Sequence, residues 1–218
     1  MDGLTDQYVE FLRLKKVQRR KEREAIETFV QAAHTGNREL FCSTLEFLEL
    51  GGLFERAFRA VAGYSAPMKF RTAFARVWLL DGDSMRSQVN NDLVLIEALR
   101  VLLPPYTGGS VRLYRGDSAC NRRRRTYGLS WTTDIGVARQ YANHGMWRMA
   151  QGGSVVITTK APPAAVISVP GLKSVRFKNE NEYLVDRRRL ETVDVVERFS
   201  QLTIEEHRKR KGYTATSL

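Results

Sequence analysis

A chain of 218 residues with a formal net charge of +11 is long enough to bury a sizeable core, and its ordinary apolar content excludes wholesale disorder. Its best candidate for a membrane span, Leu93 to Leu103, is interrupted by Glu97 and Arg100, so no membrane partner is expected. The positive excess says little about fold and bears instead on partners: nucleic acid, an anionic surface or an acidic protein.

From about Thr5 to Leu103 the apolar spacing predicts helices. Tyr8, Phe11, Leu12 and Leu14 lead into a charged helix that continues through Ile26, Phe29 and Val30 toward His34. A first basic run, Arg13 to Arg23, lies inside it. Thr35-Gly36-Asn37 breaks the pattern, and Asn37 is placed to cap a helix in which Leu40, Phe41, Leu45 and Leu48 recur before Gly51-Gly52. Leu53 to Val61 makes a short helix ending near Gly63. Pro67 opens another with Phe70, Phe74, Val77 and Leu80, which Asp81-Gly82-Asp83-Ser84 is expected to end. A last helix carries Leu93, Ile96, Leu99 and Leu102 up to Pro104-Pro105.

Beyond Pro104 the texture changes. Short β-branched runs appear at Val111 to Tyr114, Ser154 to Lys160, Val166 to Val169, Tyr183 to Val185 and Thr192 to Phe199, with Gly and Pro between them. One helix interrupts them, capped by Asp134 and carrying Val137, Ala138 and Tyr141. The expected fold class is α+β, a helical N-terminal half followed by a small split β-sheet. The layout is a helical region over 1–105, a sheet core over 106–206 and a basic tail over 207–218, where His207-Arg208-Lys209-Arg210-Lys211 forms a further basic run.

Several chemistries find no support. Cys42 and Cys120 lack metal-ligand spacing and a neighbouring histidine, so they read as buried or idle thiols in a reducing compartment. His34, His144 and His207 are too scattered for a metal set, so no metal is expected. Neither common glycine-rich phosphate loop occurs. Met1-Asp2-Gly3-Leu4-Thr5-Asp6 lacks the basic start and apolar core of a secretory leader, and a cytoplasmic location is expected.

Three segments carry chemistry: Val111-Arg112-Leu113-Tyr114-Arg115-Gly116, Gly128-Leu129-Ser130-Trp131-Thr132-Thr133 and Glu180-Asn181-Glu182-Tyr183-Leu184-Val185. A guanidinium fork matches phosphate oxygens and is always charged. Glu180 and Glu182 are two apart, so a strand would present both carboxylates on one face. Such a set suits a dianionic dinucleotide whose sugar becomes cationic as its base departs, an oxocarbenium-like state akin to glycoside hydrolysis.

In order, spacing and flanks (Tyr-Arg-Gly, Gly-Leu-Ser, Glu-Tyr-Leu-Val) the three segments resemble the Arg-Ser-Glu class of mono-ADP-ribosyltransferases, which includes many toxins. The resemblance covers roughly Val111 to Phe199. It implies that residues 106–206 form a catalytic core using NAD as co-substrate, without metal. Arg115 and the adjacent Gly116 would hold the dinucleotide together with Ser130, Trp131 and Thr132, a segment that would also orient the catalytic Glu182. Glu180 would face the incoming nucleophile, Tyr141 would shape the nicotinamide pocket unless it is a core aromatic, and Phe177 would be the aromatic of an acceptor-recognition loop over Lys173 to Asn179.

For the acceptor two arguments compete. The paired glutamates imply, by resemblance, a protein arginine. The basic runs, above all the loop Arg122, Arg123, Arg124 and Arg125, favour a polyanion, with Tyr127, Trp131 and Phe177 as platforms for an unpaired base. Single-stranded RNA is the expected acceptor. Other readings are a non-enzymatic nucleic-acid-binding module with a degenerate transferase fold, and a toxin whose basic helix over Thr5 to Ala33 docks an antitoxin or chaperone.

Overall fold

The computed structural model describes residues 2–170 and 182–210. The chain divides into two compact units, Met1–Pro104 and Pro105–Leu218.

The first unit is helical: α1 (Asp2–Thr35), α2 (Arg38–Leu50), α3 (Phe54–Val61), α4 (Met68–Val89) and α5 (Asp92–Leu102). Asn37 caps α2 as its sequence position predicts, its side chain accepting from the backbone N–H groups of Glu39 and Leu40 at 3.0 and 3.2 Å. Asn91 does the same for α5 through Leu93 and Val94. Phe29, Phe41, Phe58, Phe70 and Phe74 build the core, with ring centroids 5.0 to 6.3 Å apart.

The predicted break at Asp81-Gly82-Asp83-Ser84 does not occur, and α4 runs through it to Val89. Gly82 is buried there against the Trp78 indole, where a Cβ would lie 3.0 Å from the ring. Packing of that ring overrides the local breaker signal. The start of α1 differs from the rest of this unit. Residues 6–20 are exposed on every side, including Tyr8, Phe11, Leu12 and Leu14.

The second unit is a sheet with short helices: β1 (Val111–Ser118), α6 (Ala119–Arg124), β2 (Ser130–Thr132), α7 (Ile135–Ala142), α8 (Gly145–Met149), β3 (Ser154–Ala161), β4 (Val166–Ser168), β5 (Glu182–Val185), β6 (Asp194–Phe199) and α9 (Ile204–Arg210). Among the described residues the strands form one antiparallel sheet in the order β4-β5-β2-β1-β3-β6. β1 and β3 pair along their whole length, from Val111 opposite Ala161 to Ser118 opposite Ser154. β1 and β2 meet only at Tyr114 opposite Thr132. The sheet is therefore two ladders joined at a narrow seam.

One side of the sheet buries Leu113, Trp131, Val155, Ile157 and Val185 with Tyr127 and Leu190. On the other, α7 packs Ala138 and Ala142 onto Val156. Asp134 caps α7 by accepting from Gly136 N–H at 2.7 Å. The Arg122–Arg125 segment, expected as a loop, is instead the end of α6, with Arg125 closing it at φ 55°. The expected basic tail begins as helix: His207 to Arg210 form the last turn of α9, and the remainder lies outside the described residues. Among the described residues no helix is long and apolar enough to cross a membrane.

Candidate active site

Arg115, Ser130 and Glu182 fall on three neighbouring strands, β1, β2 and β5. The register sets Thr132 opposite Glu182 and Ser130 opposite Leu184. Alternation then gives Ser130, Thr132 and Glu182 a common face. Ser130 and Glu182 are half-buried there, and the Thr132 hydroxyl accepts from Asp134 N–H at 3.0 Å.

Arg115 stands on the opposite face and meets this group only at the Ser130 backbone. Alternation sends it off the opposite side of β1, with Leu113 and Asp117. Its guanidinium turns into the seam, where Nη1 donates to the Ser130 carbonyl at 2.6 Å. That carbonyl faces β1 just beyond the single pair that joins the strands, so a side-chain donor takes the place of a ladder bond.

Asp117 fixes the guanidinium. Its carboxylate is fully buried and accepts from Arg115 Nε at 2.8 Å, Ser118 N–H at 2.7 Å, Asn121 Nδ2 at 2.8 Å and Gly128 N–H at 3.4 Å. A buried carboxylate persists only when paired and hydrogen-bonded, and this one is both. The Arg115 side chain keeps 12% of its surface exposed. Nη2 makes no hydrogen bond among the described residues, which leaves donors of the fork for a further acceptor. Sequence reasoning passed over Asp117. The Arg-x-Asp spacing was the available signal, since residues two apart on a strand share a face.

Other expected site residues require correction. Trp131 and Tyr127 are 2% and 1% exposed and pack edge to face at 5.7 Å, so neither ring offers a platform to a base or a dinucleotide. Gly116 is a packing glycine. A Cβ there would stand 2.3 Å from the Ala138 carbonyl and the Ala142 nitrogen, so α7 fills the space a side chain would need. Tyr141 is 49% exposed on α7 and is not a core aromatic. Cys42 is exposed and Cys120 half-buried; both are unbridged. Glu180 and Phe177 lie outside the described residues.

A second buried carboxylate, Asp186, was also missed. It follows β5 and accepts from Arg188 Nε and Nη2, both at 2.8 Å, with Arg189 at 3.6 Å. An open concavity of about 530 Å³ in the helical unit, lined by Gln31, Thr35, Asn37, Arg38 and Lys69, contains none of the motif residues. Among the described residues no group of three or more His, Cys, Asp or Glu is placed to hold a metal. No protein-family model matches the chain, and neither a curated protein nor a solved structure shows significant similarity to it.

Proposed function

We propose that this protein is a toxin-like NAD-dependent mono-ADP-ribosyltransferase that transfers ADP-ribose to single-stranded RNA. The observation that supports it most directly is the Arg115–Ser130 hydrogen bond across the seam, with Glu182 brought beside Thr132 on the next strand. In this reading Arg115 binds the diphosphate, and the exposed edge of its fork supplies the donors. Ser130 and Thr132 orient Glu182. The Glu182 carboxylate lies against the ribose as the glycosidic bond breaks.

Both bonding electrons leave with nicotinamide, which departs neutral and needs no strong acid. The sugar cation is then captured by a lone pair of the acceptor, whose proton passes to Glu180 or to water. Charge supports the RNA acceptor: Arg123 and Arg124 at the end of α6 and Arg125, which closes it, are exposed, five to seven residues before Ser130. Base stacking by Tyr127 and Trp131 no longer contributes to this reading.

The test is incubation of the full chain with NAD labelled on its adenylate and either total RNA or lysate protein, followed by mass spectrometry of both. Label on RNA that disappears with Glu182→Gln supports the proposal. Label confined to arginine side chains replaces RNA with protein as acceptor. RNA binding without NAD consumption would instead favour a non-enzymatic module.

A further inference from the structure

We infer that Arg187, Arg188 and Arg189 join the arginines of α6 in one phosphate-tracking surface that leads a single-stranded nucleic acid toward Glu182. These three residues form a 3-10 turn directly after β5. Its arginines lie far in sequence from Arg122–Arg125, but the fold brings Arg187 to the chain just after that segment. Arg187 Nη1 donates to the Tyr127 carbonyl at 3.1 Å. Arg125 lies two residues before Tyr127, within about 7 Å of it by chain length. The Val185 N–H donates to the Leu129 carbonyl at 2.8 Å, which locks the end of β5 to the approach of β2.

The turn is also held in place. Asp186 is fully buried and accepts from Arg188 N–H at 3.1 Å as well as from the Arg188 guanidinium. Arg189 reaches the same carboxylate at 3.6 Å with 53% of its side chain exposed. The buried Asp186 carboxylate thus anchors Arg188 and Arg189, and the Tyr127 carbonyl holds Arg187, on the chain that follows the exposed Arg123, Arg124 and Arg125. Fixed guanidinium groups lose little freedom on meeting a phosphate, which favours a repeating polyanion over a single carboxylate.

Direction follows from the strands. Along β5 the turn begins five residues after Glu182, at most about 17 Å away. Along β2 the α6 arginines precede Ser130. A strand of a few nucleotides laid over this surface would run along the β2–β5 pair to the candidate site. Phosphate binding by this surface does not depend on the transferase activity; its orientation toward Glu182 rests on that reading.

The test uses the full chain carrying Glu182→Gln, so that binding is read without transfer. A fluorescent unstructured RNA of about a dozen nucleotides, within the usual site size of single-strand binders, is titrated by anisotropy at several salt concentrations. Arg124→Gln, Arg125→Gly and Arg189→Gln are combined in one variant that spares the Arg188–Asp186 clamp; glycine suits the positive φ at Arg125. Its affinity is expected to fall about tenfold or more, and its salt slope by about 2, the share of three phosphate contacts on a single strand. A control removing equal charge from α1 (Arg13→Gln, Lys16→Gln, Arg19→Gln) is expected to change affinity less than about threefold. Equal losses in both variants, unchanged binding in the first, or no RNA binding by the parent each overturn the inference. RNA binding that follows the expected pattern in a wild-type chain that consumes no NAD sustains the surface and removes the transferase reading.

Discussion

The helical unit and the sheet unit spend buried space on different chemistry. In the first, Thr44 is the only buried polar or charged residue among those described, and its hydroxyl bonds only to carbonyls of its own helix, those of Leu40 and Phe41. The sheet unit buries Asp117, Asp186, Ser154, Thr158, Thr159 and Ser168 among others. Phenylalanine packing stabilises a helical bundle at no electrostatic cost. Burying carboxylates is expensive, and neither Asp117 nor Asp186 is needed to close a hydrophobic core. Asp117 instead holds Arg115 in the β1–β2 seam, and Asp186 holds Arg188 and Arg189 beyond the end of β5. Where a fold accepts such a cost, positioned charge is the return.

The sharpest way to probe that contrast is Glu182→Gln. It is expected to lower transfer at least about a hundredfold, the scale of losing one aligned electrostatic group, in a chain that still unfolds cooperatively. Asp117→Ala is expected to destabilise the sheet unit by about 3 kcal/mol in denaturant titration, because it leaves the Arg115 guanidinium without its carboxylate. Gly116→Ala is expected to cost about 1–3 kcal/mol by the same measurement, since its methyl group meets the α7 backbone. Thr44→Val, the matching lesion in the helical unit, is expected to cost under about 1 kcal/mol, because the hydroxyl it removes bonds only within its helix. A Thr44 cost equal to that of Asp117 would break the comparison.

The smallest effect concerns pH. The Thr203 backbone N–H, with the Thr203 hydroxyl, holds the Glu206 carboxylate below its ordinary range. A depressed acid stabilises the fold above its unfolded pKa, and that contribution is lost as pH falls through the folded value. The amide signals of residues 204–210 are therefore expected to show fraying of α9 below about pH 4, and not between pH 5 and 7.

Much of this architecture was legible. Asn37 and Asp134 announced their helices because a cap is a local event, written in one side chain and the next few amides. The strands were visible as β-branched runs between turn residues, although β1 extends to Ser118, beyond the apolar run. Gly82 misled because its neighbour Trp78 covers it, and no window of composition reports that cover. The capping box Thr203-Ile204-Glu205-Glu206 was readable and was passed over in favour of the charge that follows it. At the candidate site, Arg115, Ser130 and Glu182 stood out by type and order. The burial of Trp131, the filling of Gly116 by α7 and the meeting of Arg187 with Tyr127 depend on strand register, which sequence spacing does not encode.

The guanidinium in the seam has a consequence of its own. Arg115 closes the gap between two ladders that otherwise share a single residue pair, so it acts as a structural pin, and in the proposed function it is also the group that receives the diphosphate. On that proposal an incoming diphosphate would meet a side chain already bonded on two sides, and both strands would feel its arrival. Arg115→Lys keeps the charge but not the fork, and would let the two ladders drift apart before any ligand arrives.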